Sequence, residues 1–101
     1  TWRGVKTEKS TSDMWNYQEI IHTLKPSVIL EFGSRFGGSV LYFADVMKAV
    51  HRKGTPYRIL TVDVDKSHID PQVFEEPHVQ VVTAPSASAT AAAQLAAARA
   101  A

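Results

Sequence analysis

The chain has 101 residues, a formal net charge of +1 and 45% apolar residues, a composition typical of one small globular domain rather than of a disordered segment. It contains no cysteine, so a disulfide framework, a cysteine-ligated zinc site and a thiol nucleophile are excluded. The near-neutral charge gives no electrostatic reason to expect a nucleic-acid partner, and no apolar run is long enough to cross a membrane. With no signal pattern at its first residues, a cytoplasmic location is the default expectation.

The first 26 residues predict an arm followed by a helix. Residues 1–11 are mostly polar and predict an irregular arm, and Ser12 is the expected N-cap of the helix. Apolar side chains then recur at three- and four-residue steps until Lys25-Pro26 ends the pattern. The predicted buried face of this helix consists of Met14, Tyr17, Ile21 and Leu24.

Strands and helices alternate in the next part of the chain. The apolar run 28–32 lacks alternation, so it predicts a strand that is buried on both faces. A helical pattern follows from Val40, and Gly54 is its expected stop. Residues 58–65 then predict a second strand.

The last third continues the alternation. Asp70-Pro71 predicts the start of a short helix over 71–76, and residues 79–83 predict a third strand. Alanine makes up 11 of the last 18 residues, which predicts a helix over 91–101 anchored weakly through Leu95. The whole order predicts an α/β fold with a Rossmann-like parallel sheet of three strands, in a single domain over residues 1–101.

The chemically informative stretch is the glycine-rich turn (residues 33–39), which lies between the first strand and the second helix. Glycine accepts positive φ and lets a ligand approach the backbone, and a helix start offers N–H groups that favour polar or anionic ligands. A Walker loop needs a lysine before its final serine, and the dinucleotide fingerprint is G-x-G-x-x-G. This turn has neither, since its spacing is G-x-x-x-G-G and Ser39 directly follows Gly38.

Two carboxylates complete the predicted ligand site. Glu31, just before the turn, disfavours a pyrophosphate and suits a cationic ligand, while Asp63 at the end of the second strand can accept hydrogen bonds from ribose hydroxyls. An adenosine with a cationic tail, as in S-adenosylmethionine, fits this description better than NAD or ATP. Structural alternatives stay open: the glycines serve tight packing, Asp63 is a solvated or cap-forming residue at a strand end, and Glu31 forms an ion pair with Arg35 or Lys25.

The histidines give no metal-binding pattern. His22, His51, His68 and His78 are scattered along the chain without an H-x-x-x-H pair, and we interpret each as a surface residue. Asp63 and Asp65, expected on one face of the second strand, form with His68 a weaker candidate for a cation site, although no known ligand spacing is matched.

Several motifs together resemble the cephalosporin hydroxylase / rhamnosyl O-methyltransferase family of class I S-adenosylmethionine-dependent methyltransferase-like proteins. They are W-x-Y-Q-E-I-I over 15–21, Lys25-Pro26, E-x-G-x-x-x-G-G-S over 31–39, and Val62-Asp63-Val64-Asp65. The resemblance implies the N-terminal, cofactor-binding half of a class I methyltransferase fold. It implies that the cofactor contacts Glu31, Gly33, Gly37, Gly38, Ser39 and Asp63, with the adenine near the turn over 83–86.

The resemblance also implies a function: O-methylation of a sugar or secondary-metabolite hydroxyl by S-adenosylmethionine. A Mg²⁺ ion and the catalytic base would come from residues absent from this chain, so no catalytic residue is assigned. The expected partners are a small hydroxyl substrate and either a second copy or a missing C-terminal half that covers the sheet edge. The alternatives are a truncated, non-catalytic Rossmann-like module used in assembly and, against the glycine spacing, an NAD-dependent oxidoreductase.

Overall fold

A computed structural model of the protein describes residues 1–83. Over that range helices and strands alternate as α1 (Thr11–Leu24), β1 (Val28–Phe32), α2 (Gly38–Val50), β2 (Arg58–Asp63), α3 (Pro71–Phe74) and β3 (Val79–Thr83). The strands pair in parallel in the order β1-β2-β3, with Ile59 of the middle strand opposite Ile29 and Val79. The predicted α/β architecture with three parallel strands is confirmed. The helix predicted over 91–101 and residues 84–86 of the turn expected near the adenine lie outside the described residues.

Helix α1 begins two residues earlier than predicted. Ser10 is its N-cap, in extended conformation, and its Oγ accepts the N–H of Asp13 at 3.2 Å. The prediction of Ser12 was wrong because a serine can cap from either position, and the backbone conformation, which the sequence does not show, decides between them. The helix ends as predicted: Lys25 adopts a left-handed conformation with φ of 45°, and Pro26 follows.

The buried face of α1 is shorter than the predicted one. Ile21 is buried, Met14 and Tyr17 pack against the core, and the Tyr17 and Phe43 rings meet edge to face at 5.6 Å. Leu24 is 70% exposed, so its predicted place on the buried face was wrong. The last turn of α1 thus extends beyond the part of the helix that packs.

Helix α2 is the centre of the described fold. It contacts α1, α3 and β2, and it is buried on several sides, with Val40, Leu41 and Met47 fully enclosed. Most of its side chains are accordingly apolar, whereas Asp45 is half-buried and Lys48 is exposed. It ends at Val50 rather than at Gly54, because His51 turns to an extended conformation while its N–H still bonds the Met47 carbonyl.

Burial is distributed over the sheet differently from the prediction. β1 is only half-buried over most of its length, and Phe32 at its carboxyl end is 55% exposed, so the prediction of a strand buried on both faces was wrong for β1. The middle strand β2 is the buried one: its residues 59–62 are all enclosed. β2 stops at Asp63 instead of reaching Asp65, and Val64 is exposed.

The N-terminal arm (residues 1–9) is not irregular throughout, in contrast to the prediction. Trp2 and Val5 form an antiparallel bridge, and the two residues between them have φ of 50° and 77°, the pattern of a primed hairpin turn. The Trp2 ring packs edge to face on Tyr42 at 5.1 Å, and Val5 is buried in the core. This docking fixes the start of the arm on α2 and sets the path of residues 6–9.

Candidate ligand-binding site

The carboxyl ends of β1 and β2 bring the glycine-rich turn and Asp63 together. Parallel neighbouring strands end at the same edge of a sheet, which is where ligands bind in open α/β folds. The Arg35 N–H donates to Asp63 Oδ2 at 2.9 Å, and the Asp65 N–H lies 3.3 Å from Asp63 Oδ1. The Asp63 carboxylate therefore points at the turn, as the sequence interpretation requires.

The three glycines of the turn serve three different purposes. Gly33 has φ of +81°, and a Cβ there would meet open space. Gly37 has φ of +98°, and its Cβ would lie 2.4 Å from Val73 Cγ2, so α3 packs directly on it. A Cβ on Gly38 would lie 2.0 Å from Thr7 Oγ1 and 2.5 Å from the Lys6 carbonyl. Only at Gly33 does the missing side chain leave room for a ligand; at the other two it leaves room for protein.

A buried hydrogen-bond network supports the turn from below. The Ser39 Oγ donates to Glu31 Oε2 at 2.6 Å, and the Thr61 Oγ1 donates to Glu31 Oε1 at 3.2 Å. Ser34, which is also buried, shares a hydrogen bond with the Thr61 hydroxyl. One network therefore joins β1, β2, the turn and the first residues of α2.

Burial of Glu31 raises the pKa of its carboxyl group, because water no longer solvates the charged form. The hydrogen bond from Ser39, the nearby Lys9 ammonium and the hydrogen bond from Thr61 oppose that shift, and Asp63 adds to it. Lys9 Nζ lies 3.8 Å from Glu31 Oε2. Neither cation considered in the sequence analysis is the partner, since Arg35 pairs with Glu8 at 3.5 Å and Lys25 Nζ donates to the His22 carbonyl.

A cleft of about 270 Å³ lies between the N-terminal arm and the glycine-rich turn. Its walls carry charged, polar and aromatic groups from both sides. The lining residues are Lys6, Glu8, Lys9, Phe32, Gly33, Ser34, Arg35, Gly38 and Ser39.

The structure places the predicted site residues at different depths. Gly33, Gly38 and Ser39 line the cleft, whereas Glu31 lies beneath it and reaches it through Ser39 and Lys9. Gly37 faces α3, and Asp63 lies beside the turn. Cofactor contact by these six residues stays a prediction.

Sequence reasoning missed the contribution of the arm and of Phe32. Lys6, Glu8 and Lys9 were part of a polar stretch without periodicity, and Phe32 was assigned to a buried strand. The sequence offered one signal for this neighbourhood, namely charges of opposite sign in the arm and in the turn. Glu8 and Lys9 precede α1, and Arg35 lies in the turn. Only a path that folds residues 6–9 back over the turn makes them neighbours.

The described residues offer no cation site. Over residues 1–83, no group of three or more His, Cys, Asp or Glu side chains is placed to hold a metal ion. Asp65 lies outside β2, 3.6 Å from the exposed His68 ring. His51 and His78 instead stack on Tyr57 at centroid distances of 5.2 and 4.1 Å. None of the helices within residues 1–83 has the length and apolarity needed to cross a membrane.

The parallel sheet, with the glycine-rich turn and the adjoining cleft at its carboxyl edge, defines a Rossmann-like α/β fold. Within that class, the chain belongs to the Rhamnosyl O-methyltransferase/CmcI family, whose sequence model matches residues 1–101. The family resemblance inferred from the motifs is confirmed.

Curated relatives of the chain are rhamnosyl O-methyltransferases. The protein from Mycobacterium leprae is 46% identical over 95 residues, which are 94% of this chain and 40% of the relative. Proteins from Mycobacterium bovis and Mycobacterium tuberculosis are 44% identical over the same share of this chain and 38% of their own length. The chain thus spans about two fifths of the length of the curated relatives it matches.

Solved structures of CmcI share the fold. CmcI with Mg-SAM superposes with a TM-score of 0.77 at 24% identity, over 88% of this chain and 37% of the other. CmcI with SAH gives a TM-score of 0.74 at 24% identity, over 84% of this chain and 42% of the other. These matches show that the described sheet and helices have the fold of the corresponding part of CmcI.

Proposed function

We propose that the protein is an S-adenosylmethionine-dependent O-methyltransferase that acts on a sugar or secondary-metabolite hydroxyl, and that this chain is part of its cofactor-binding region. The observation that carries the proposal is the contact between Asp63 Oδ2 and the Arg35 N–H, which directs a strand-end carboxylate toward the glycine-rich turn. The names of the curated relatives and the ligands in the CmcI structures support it.

The residues of the site suit such a cofactor in chemical type. Gly33 leaves open space above the turn, the exposed Phe32 ring offers an apolar contact, and Asp63 can accept hydrogen bonds from ribose hydroxyls. When bound, the sulfonium supplies a methyl group that a substrate oxygen attacks, so that sulfur keeps the bonding electron pair and the hydroxyl proton leaves to a base. The part of this chain in that reaction is to bind and orient the cofactor.

The base and the cation remain predictions for residues outside this chain. Because residues 1–83 hold no metal-ligating cluster, we derive no step through Mg²⁺. No described side chain is assigned as a general base.

Isothermal titration calorimetry tests the cofactor assignment. The protein expressed from its natural gene should bind S-adenosylmethionine and S-adenosylhomocysteine saturably and should not bind NAD. Absence of heat up to about 1 mM ligand, which corresponds to roughly 4 kcal/mol of binding free energy, would overturn the proposal. Saturable binding of NAD instead would favour the oxidoreductase alternative.

A second candidate function is assembly. Within residues 1–83, β1 pairs with β2 alone, and α1 exposes Ile20 and Leu24, one helical turn apart, at 52% and 70%. Open strand edges and exposed apolar side chains are features that another copy or another part of the protein covers. Sedimentation equilibrium of the natural protein and of its Leu24→Glu variant distinguishes a second copy from another part of the same protein. Self-association of the natural protein that is lost in the variant supports a homo-oligomer.

A further inference from the structure

Positive charge dominates the cleft. Among its lining residues, Lys6, Lys9 and Arg35 carry positive charge, and Glu8 is the single acidic one. Arg35 pairs with Glu8 and Lys9 with the buried Glu31 beneath the cleft, so the three cations exceed these two carboxylates by one positive charge. A cleft of this kind favours a ligand that presents an anionic group beside the glycine-rich turn.

All three cations have a partner among the described residues, and for two of them a ligand would compete with that partner. The Arg35 guanidinium pairs with Glu8 at 3.5 Å, and its side chain is 71% exposed. Lys6 Nζ lies over the Phe36 ring, 5.0 Å from its centroid. A ligand that recruited either group would have to break an existing interaction.

Lys9 is placed differently. Its side chain is only 29% exposed, and its Nζ lies 3.8 Å from Glu31 Oε2 and 5.9 Å from the centroid of the Tyr17 ring. At 3.8 Å the contact with Glu31 is an ion pair without a hydrogen bond, so the three N–H donors of the ammonium stay available for an acceptor in the cleft. The ammonium is thus oriented by Glu31 and Tyr17 while its donors are not used up.

We propose that Lys9 binds the carboxylate at the methionyl end of the cofactor, and that it is the group that selects a ligand carrying this carboxylate. The inference rests on the proposed function. It gives the buried Glu31 the role of positioning Lys9 and Ser39 at the floor of the cleft.

The test compares two ligands that differ in this carboxylate alone, S-adenosylmethionine and decarboxylated S-adenosylmethionine. Their affinities are measured by calorimetry for the natural protein, Lys9→Met, Lys9→Arg and the control Lys53→Met. Lys53 follows α2 at the end opposite the cleft, so its substitution removes the same charge elsewhere. Lys9→Met should bind S-adenosylmethionine about 10- to 100-fold more weakly, the range for a hydrogen bond between charged groups, and decarboxylated ligand as the natural protein does.

Lys9→Arg should keep the preference for the carboxylate, and Lys53→Met should match the natural protein. Unchanged binding of the decarboxylated ligand also reports that Lys9→Met is folded. Equal weakening for both ligands, or no weakening for either, would overturn the role of Lys9 and leave the proposed function intact. Failure of the natural protein to bind either ligand would overturn the proposed function itself.

Discussion

Gly38 and Thr7 touch where α2 begins: a Cβ on residue 38 would lie 2.0 Å from Thr7 Oγ1. Of the three glycines in the turn, Gly38 is the one against which the N-terminal arm packs. The backbone oxygens of Lys6 and Val5 also lie within 3 Å of the position that its Cβ would take. Gly38 resembles a ligand-binding element in the sequence, but in the structure it allows the arm to pack against the start of α2 and to form one wall of the cleft.

Gly38→Ala should displace the arm. In a helix alanine is ordinarily favoured over glycine by about 1 kcal/mol, yet here the added methyl meets backbone, and we expect a loss of about 1–3 kcal/mol in the free energy of unfolding. Binding of S-adenosylhomocysteine should weaken as Lys9 moves away. Denaturant unfolding and calorimetry measure the two effects.

Gly33→Ala is the matched control for Gly38→Ala. Its Cβ would meet open space, so its cost arises from the positive φ of 81° alone. The two variants should differ in the arm: the near-ultraviolet circular dichroism of Trp2, which packs on Tyr42, should change only in Gly38→Ala. A Gly38→Ala protein as stable as the natural one, with unchanged Trp2 signal, would contradict the arm contact.

Asp63→Ala should abolish nucleotide binding while leaving the far-ultraviolet spectrum intact. The carboxylate accepts the Arg35 N–H and, in the proposed site, the ribose hydroxyls. Loss of the hydrogen bonds from the Arg35 and Asp65 N–H groups at a half-exposed position should cost about 1–2 kcal/mol of stability, too little to unfold a domain. Asp65→Ala, two residues on and outside β2, is the control and should bind normally. Normal binding by Asp63→Ala would remove this residue from the site.

Glu31→Gln should make the stability less dependent on pH. Because burial raises the pKa of Glu31 above its ordinary value of 4.5, the native state holds the proton more tightly than the unfolded chain does. The free energy of unfolding therefore falls as the pH rises from about 4.5 through the raised native pKa, and above it the ionised carboxylate is a net cost. Glutamine keeps groups for Ser39 and Thr61 without the charge.

Urea unfolding between pH 4 and pH 8 measures the effect of Glu31→Gln. We expect the variant to gain stability relative to the natural protein as the pH rises, and to bind the cofactor more weakly because Lys9 loses its ion pair. The exposed Glu19 on α1 supplies the control variant Glu19→Gln. A stability difference that stays constant across this pH range would show that Glu31 titrates alike in both states.

The ion pair between Arg3 and Asp45 should make a contribution to stability that is lost as the pH falls, whereas the contribution of Glu31 is lost as the pH rises. The hydrogen bonds from Arg3 and Trp2 lower the pKa of Asp45, so its contribution is fully present above the ordinary value of 3.8 and is lost as the pH falls through the lowered native pKa. Asp45→Asn should therefore destabilise the protein at pH 7 more than at pH 2.5. The pair is partly exposed, which limits the loss to about 1 kcal/mol or less.

Arg3 also contacts Glu76 at 2.7 Å. A double-mutant cycle of Asp45→Asn and Arg3→Met therefore isolates the coupling free energy between Arg3 and Asp45 from the contribution of Glu76. Coupling that is the same at pH 7 and pH 2.5 would exclude an ionic contribution.

Local signals were sufficient for much of the fold. The stop at Lys25-Pro26, the Asp70 cap before Pro71 and the run 79–83 each lie within a few residues of the element they define, and the structure contains all three. The predicted α3 was too long by two residues at its carboxyl end, and α2 and β2 were also extended too far. The exact ends of helices and strands depend on the backbone conformation of the end residues, which the local sequence does not determine.

The candidate site likewise has one part that the sequence predicts and one part that only the tertiary structure shows. The sequence by itself determined the family, the parallel α/β order and the placement of Gly33 and Asp63 at one edge of the sheet, because spacing and strand direction are properties of the linear chain. Only the tertiary structure decided that the arm folds back over this edge. Its contacts join residues far apart in sequence, such as Arg3 with Asp45 and Thr7 with Gly38, and burial and charge pairing across such distances follow from packing rather than from periodicity.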